Sequence, residues 1–206
     1  VLTIDGATYL SNVEATSPAS EPITTAEAKA HMRVTHSSED TLISSLITAA
    51  RLYIEQLCNR PLINRTFTLK LDRFPAFNEI VLPSGKASAV SSITYVDQAG
   101  STQTLSASNY SLEGDRLPSS IVLNPTNATS WPNTRYEKSI TSVTVSYTAG
   151  FGATSASVPQ PIKQAILMTV AYWYDQAREA AADQGYQEAP HGVEILCRIY
   201  SVPRAW

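Results

Sequence analysis

The chain has 206 residues, 43% hydrophobic and only 16% charged, with a formal net charge of −3; soluble domains usually carry about 25% charged residues. Ser and Thr fill 45 positions, so much of the polarity is uncharged hydroxyl. These figures exclude intrinsic disorder, which needs low hydrophobicity and high net charge. With 8 Gly and no long heptad run they exclude a collagen-like or coiled-coil rod, and the acidic balance argues against a dedicated nucleic-acid binder.

Two cysteines, Cys58 and Cys197, show no C-x-x-C or framework spacing and read as reduced, partly buried thiols. The longest apolar run, Ile166 to Tyr174, includes Thr169 and is half the ~18 residues of a membrane span. No basic-then-apolar leader opens the sequence, and Val1 in place of Met leads to the expectation of N-terminal trimming. The expectation is a soluble protein made in a reducing compartment, with no membrane partner.

In chain order, residues 1–23 have a weak strand-like start and then a Ser/Pro/Glu-rich stretch, read as an N-terminal arm. Thr24-Thr-Ala-Glu27 fits a capping box and predicts a short helix from Ala26 to about Arg33. A second start signal at Ser37, with Glu39 and Asp40 in the first turn, precedes an apolar stripe of Leu42, Ile43, Leu46, Ile47, Ala50, Tyr53, Ile54 and Leu57. That spacing predicts a long amphipathic helix, ended by Asn59-Arg60-Pro61. From 62 to 157 the period changes to two. Strands are predicted around Phe67–Leu71, Ile93–Asp97, Thr102–Leu105, Tyr110–Leu112, Ile121–Leu123 and Ser142–Tyr147.

Helix returns after Pro159 and Pro161, both acceptable in a first turn. Ile162, Ile166, Val170 and Trp173 lie on one face, while Tyr172 and Tyr174 help to make the helix apolar nearly all round. Such a helix needs a partner on every side, so these six residues are read as bundle core or subunit interface. Lys163 is the only charge between Val158 and Tyr174. A last helix is predicted over Gly192–Tyr200, before the tail Ser201–Trp206. The fold class is therefore α+β. N- and C-terminal helices (24–61 and 158–200) form one bundle, and a small antiparallel β-sandwich or barrel (62–157) is inserted between them, with a tail over 201–206.

No catalytic constellation is present. There is no G-x-S-x-G elbow, and His31, His36 and His191 have no Cys or paired carboxylates at ligand spacing. Gly150-Phe-Gly152 lacks a downstream Lys-Ser/Thr and reads as a strand-ending turn rather than a phosphate cradle. Glu113 and Asp115 flank Gly114 at an apparent hairpin tip, and the 15 basic residues are scattered singly. No enzyme activity, metal or cofactor is expected.

Two segments carry a family resemblance. ITTAEAKAHMR (23–33), its acidic turn, and the long helix ending at Asn59-Arg60 resemble the "I-T-x-A-E-A-K-x-H-L-R" opening of the head–tail connector (adaptor) proteins of long-tailed bacteriophages and gene transfer agents. VTVSYTAGFG (143–152), PQPIKQAIL (159–167) and GVEILCRIY (192–200) resemble that family's later block in the same order. The resemblance covers roughly 23–64 and 143–200; the arm and the Ala/Gln-rich stretch 175–190 depart from it.

The resemblance implies a non-enzymatic virion protein of the neck, assembled in the host cytoplasm. Its copies would form a homo-oligomeric ring, usually of twelve, beneath the portal protein. The ring extends the DNA channel, passes DNA without sequence-specific binding, and receives a downstream neck (stopper) or tail-completion protein. It also implies that the C-terminal helix and tail dock on the portal, which nominates Val193, Leu196, Ile199, Tyr200, Val202, Arg204 and Trp206. Twelve copies would carry about −36, repelling phosphate at short range. The alternative is a β-sandwich module with helical flanks that binds carbohydrate or a host surface. It would need aromatics clustered on loops, and only Trp131 and Tyr136 lie in a loop-like region.

Overall fold

The computed structural model describes residues 2–4, 6–137, 140–179 and 191–203. The chain divides into two compact units, a β unit built on Val1–Ser17 and Asn64–Gly150 and a helical unit of Pro18–Ile63 and Phe151–Val202. Each has its own hydrophobic core. The α+β class expected from the sequence is what the structure shows.

In the β unit, β1 (Leu2–Ile4), β2 (Ala7–Glu14), β3 (Arg65–Leu71), β4 (Glu79–Val81), β5 (Ala87–Val96), β6 (Thr102–Thr104), β7 (Tyr110–Glu113), β8 (Ser120–Leu123) and β9 (Val143–Ala149) form two sheets. The larger has the order β1-β2-β3-β9-β5-β6 and the smaller β4-β8-β7, and every pairing described is antiparallel. The period-two reading holds in detail on β3, where Phe67, Leu69 and Leu71 face the core and Thr66, Thr68 and Lys70 do not.

Residues 1–23 are not a free arm. Strand β2 pairs with β3 from Tyr9↔Leu71 to Glu14↔Phe67, and β1 folds back on β2. Three side chains pin this segment. The Tyr9 hydroxyl accepts from the Val81 N–H at 3.0 Å, Asn12 Nδ2 donates to Ser84 Oγ at 2.8 Å, and the Tyr147 hydroxyl donates to Asn12 Oδ1 at 3.1 Å. Burial pushes the Tyr147 phenol up to about 12, so it stays a neutral donor in that network. All these partners lie more than 60 residues away, out of reach of any local periodicity. Strand β4, absent from the sequence reading, is a similar case: three residues that pair only with β8.

The helical unit holds α1 (Thr25–Met32), α2 (Asp40–Cys58), α3 (Gln160–Glu179) and α4 (His191–Arg198). The capping box is present: the Glu27 N–H donates to Thr24 Oγ1 at 3.1 Å, and the Thr24 N–H donates to Glu27 Oε2 at 2.6 Å. Helix α2 starts three residues after Ser37, with Glu39 at the cap making no side-chain cap bond. It ends on Asn59 in the left-handed conformation, a residue type that tolerates it. Leu62 and Ile63, assigned by the sequence to the β insertion, are fully buried in the helical core. The Phe151 N–H donates to the Leu62 carbonyl at 3.2 Å and closes this unit where the chain re-enters it.

Gly150 ends β9 where a Cβ would meet Asn64 Oδ1 at 2.5 Å and the Asn64 backbone N at 2.6 Å. The glycine therefore serves close backbone approach at a strand end, in line with the turn reading of Gly150-Phe-Gly152.

Candidate functional site

Among the described residues no group of three or more His, Cys, Asp or Glu side chains could hold a metal ion. His36 Nδ1 lies 2.8 Å from Ser38 Oγ and Nε2 lies 3.8 Å from a Glu39 carboxylate oxygen, a local surface pairing. What stands out in the helical unit is instead two exposed faces with unusual chemistry.

The first is on α4. Val193 and Cys197, four residues apart, are buried in the helical core, and Val202 beyond the helix end is 3% exposed. Leu196 and Tyr200 are half-buried against the same core, with Tyr200 edge-on to Phe151 at 6.0 Å. Ile195 and Ile199, also four apart, point the other way and are 69% and 82% exposed. Beside them runs a groove of ≈370 Å³ lined by Leu57, Glu194, Ile195, Cys197, Arg198 and Ser201.

Five of the seven nominated docking residues thus sort into three sets. Val193 and Val202 are core, because the short helix is held by them. Leu196 and Tyr200 are rim, and Ile199 is surface. Arg204 and Trp206 lie outside the described residues. Ile195 was missed, although its i, i+4 spacing from Ile199 outside the Val193/Cys197 stripe was a readable signal.

The second face is the outer side of α2. Its inward stripe is Ile43, Ile47, Ala50 and Ile54, as predicted, but Leu42 from that stripe is 40% exposed. From Thr41 to Gln56 the only charged side chains are Arg51 and Glu55, and both are buried. Arg51 Nε donates to Glu21 at 2.8 Å and Nη1 donates to Glu55 at 3.0 Å. Glu55 Oε1 in turn accepts from the Leu62 N–H at 2.9 Å. With Arg51 and Glu55 turned inward, α2 beyond its exposed first residue Asp40 shows Thr41, Ser44, Ser45 and Ala49, with Leu42 and Leu52, the latter 53% exposed. A long exposed helix face without charge is what an interface core, depleted of charged residues, looks like.

On α3, Ile162, Ile166, Val170 and Tyr174 are all buried in the helical core, and the Tyr174 hydroxyl donates to Glu39. Tyr172 and Trp173 are half-buried, Trp173 edge-on to Tyr53 at 5.8 Å. Thr169, the one polar residue in the run, is buried with its hydroxyl donating to the Ala165 carbonyl at 2.8 Å.

In the β unit Trp131 is not a loop-surface aromatic. It stacks on Phe74 with ring centroids 4.9 Å apart, and its Nε1 donates to the Phe77 carbonyl at 3.1 Å. Tyr136 is 47% exposed and covered on one face by the Arg73 guanidinium, 3.5 Å from the ring centroid. The carbohydrate-module alternative needs aromatics clustered on loops, and of the two in a loop-like region only Tyr136 is exposed.

Charge divides unevenly. Residues 18–63 and 151–202 carry ten acidic and seven basic side chains, and the rest of the chain is neutral, so the whole net charge belongs to the helical unit.

No curated protein is significantly similar to the chain in sequence. Among solved structures, it resembles a chain from the neck of an empty gene transfer agent particle computed with C6 symmetry. That pair aligns with TM-score 0.75 and 24% identity over 95% of this chain and 97% of that one. Chains from the virion of a native gene transfer agent particle and from the neck of a native particle computed with C12 symmetry align with TM-score 0.73, at the same identity and coverage. At that identity these likenesses establish the fold. Residues 21–186 match the head completion protein family, a span that takes in the first resembling segment whole and the second as far as residue 186, and the chain belongs to that family.

Proposed function

We propose that this protein is the head–tail connector subunit of a phage-like particle, located in the virion neck. Copies close into a ring, with twelve the expected number, that docks beneath the portal protein and extends the DNA channel. A stopper or tail-completion protein attaches below. The observation that carries the reading is the outward pair Ile195 and Ile199, two large aliphatics 69% and 82% exposed on a helix whose opposite side is core. Their neighbour Arg198 and the adjoining groove complete a surface suited to a protein partner. The portal-docking surface is therefore Ile195, Ile199 and the rim residues Leu196 and Tyr200, and Arg204 and Trp206 are proposed with them from the sequence alone. Val193 and Val202 hold that surface in place from behind.

A cyclic ring needs two different faces on each subunit, which meet head to tail. The uncharged outer face of α2 is the first of these; Tyr172 and Trp173, half-buried in the single chain, belong to the second. Ile162, Ile166, Val170 and Tyr174 act as bundle core. The acidic helical unit suits a channel that passes DNA without gripping it, since like charge repels phosphate over about a Debye length of 8–10 Å.

The test is mass photometry and negative-stain microscopy of the purified protein, alone and mixed with the portal of the same particle. Rings seated on the portal support the reading. A protein that stays monomeric and never binds the portal overturns it.

A further inference from the structure

Cys58 is the last residue of α2 and Cys197 the penultimate residue of α4, and both are buried. The Cys58 thiol donates to the Cys197 carbonyl at 3.8 Å, which sets the two thiol groups side by side. The site is braced on its far side: the Val202 N–H donates to the Cys58 carbonyl at 2.9 Å, and Asn59 Nδ2 donates to the Val202 carbonyl at 3.4 Å. Cys197 lines the ≈370 Å³ groove that opens beside Ile195, whereas Cys58 is wholly enclosed behind it.

We propose that Cys58 and Cys197 form a modification site, a dithiol that a peroxide entering by the groove oxidises to a disulfide, stapling α4 to the end of α2. Cys197, the one of the two that lines the groove, reacts first. The Cys58 thiol beside it holds Cys197 below the ordinary thiol value, whereas the same contact, with burial, pushes Cys58 up. The Cys197 thiolate attacks one peroxide oxygen, the O–O bond breaks, hydroxide leaves, and Cys197 becomes a sulfenic acid. The Cys58 thiol then attacks the Cys197 sulfur, the S–O bond breaks, and water leaves with the Cys58 proton. In sum, two thiols and one hydrogen peroxide give one disulfide and two waters. The staple fixes the helix that presents Ile195 and Ile199, and it stands or falls independently of the ring reading.

Folded protein is treated with hydrogen peroxide, then alkylated in denaturant and mapped by non-reducing peptide mass spectrometry. The expected result is a Cys58–Cys197 linked peptide, lost on reduction, and a Tm higher by roughly 5–10 °C, because the bond closes a loop of 139 residues. The C58S variant should leave Cys197 as a sulfenic acid trapped by dimedone, with no rise in Tm. Two alkylated thiols recovered from peroxide-treated folded protein overturn the proposal, as do intermolecular links alone. If C58S does not fold, the wild-type peptide map still decides.

Discussion

Arg51 and Glu55 stand one turn apart on α2 and close a buried ion pair, Nη1 to Oε2 at 3.0 Å, with side chains 6% and 7% exposed. The pair does three jobs. It satisfies the Leu62 N–H beyond the helix end, ties the entry segment through Glu21, and strips the outer face of α2 of charge. Taking the guanidinium away from the buried Glu55 carboxylate costs up to about 3–5 kcal/mol. Arg51→Ala should lower stability by that order in urea denaturation, Glu55→Ala by less because Arg51 keeps Glu21, and Arg51→Met/Glu55→Leu together by less than Arg51→Ala alone. Equal loss in the double variant would show that the pair is not coupled.

On the proposed docking surface of α4, substitutions can separate docking from folding. Ile195→Asp and Ile199→Asp should each change stability by less than about 0.5 kcal/mol, as surface substitutions do, while abolishing co-sedimentation with the portal. Val193→Asp, by contrast, places a charge in the helical core and should unfold that unit by circular dichroism. Docking that survives the Ile195/Ile199 double substitution would move the portal contact elsewhere.

The outer face of α2 makes a parallel prediction for the ring. Ser45→Arg and Leu52→Glu add exposed charge where the chain has none. Both should leave the circular dichroism of the monomer intact and eliminate rings in negative stain, since charge desolvated at an interface core is costly.

Thr24 and Glu27 predict a pH effect. Hydrogen bonds from the Thr24 backbone and hydroxyl hold the Glu27 carboxyl below the ordinary carboxylate value. A depressed folded-state value contributes stability that is present above the unfolded value, about 4.3, and lost as pH falls through the folded one. Thr24→Val should return the Glu27 carboxyl toward the ordinary value by NMR titration. Thr24→Ala should cost about 1 kcal/mol at neutral pH.

At Gly150 the prediction is steric. Its missing Cβ is what lets the backbone of Asn64 approach. Gly150→Ala should cost about 1–3 kcal/mol through overpacking against backbone that cannot swing away, read as a lower midpoint in thermal unfolding. Gly6→Ala has open space around it and should show only the cost of its positive φ.

The sequence by itself determined the elements whose logic is local. The capping box at Thr24, the 3.6-residue stripe of α2 and the alternation along β3 are short-range patterns, and each appears where the residues predicted it. Tertiary structure alone decided what depended on distant partners. Whether residues 7–14 were arm or strand was set by the edge of β3 and by Asn12 meeting Ser84 and Tyr147. Which side of α4 was core was settled by Cys58 and the rest of the bundle packing on Val193 and Cys197, leaving Ile195 and Ile199 outside. The low charge of the chain had the same character. Composition showed that charge was scarce, but only folding turned Arg51 and Glu55 inward on each other and left the outer face of α2 neutral from Thr41 to Gln56. Periodicity records which residues share a face; it does not record what that face meets, because the partner's free energy comes from residues far away in the chain.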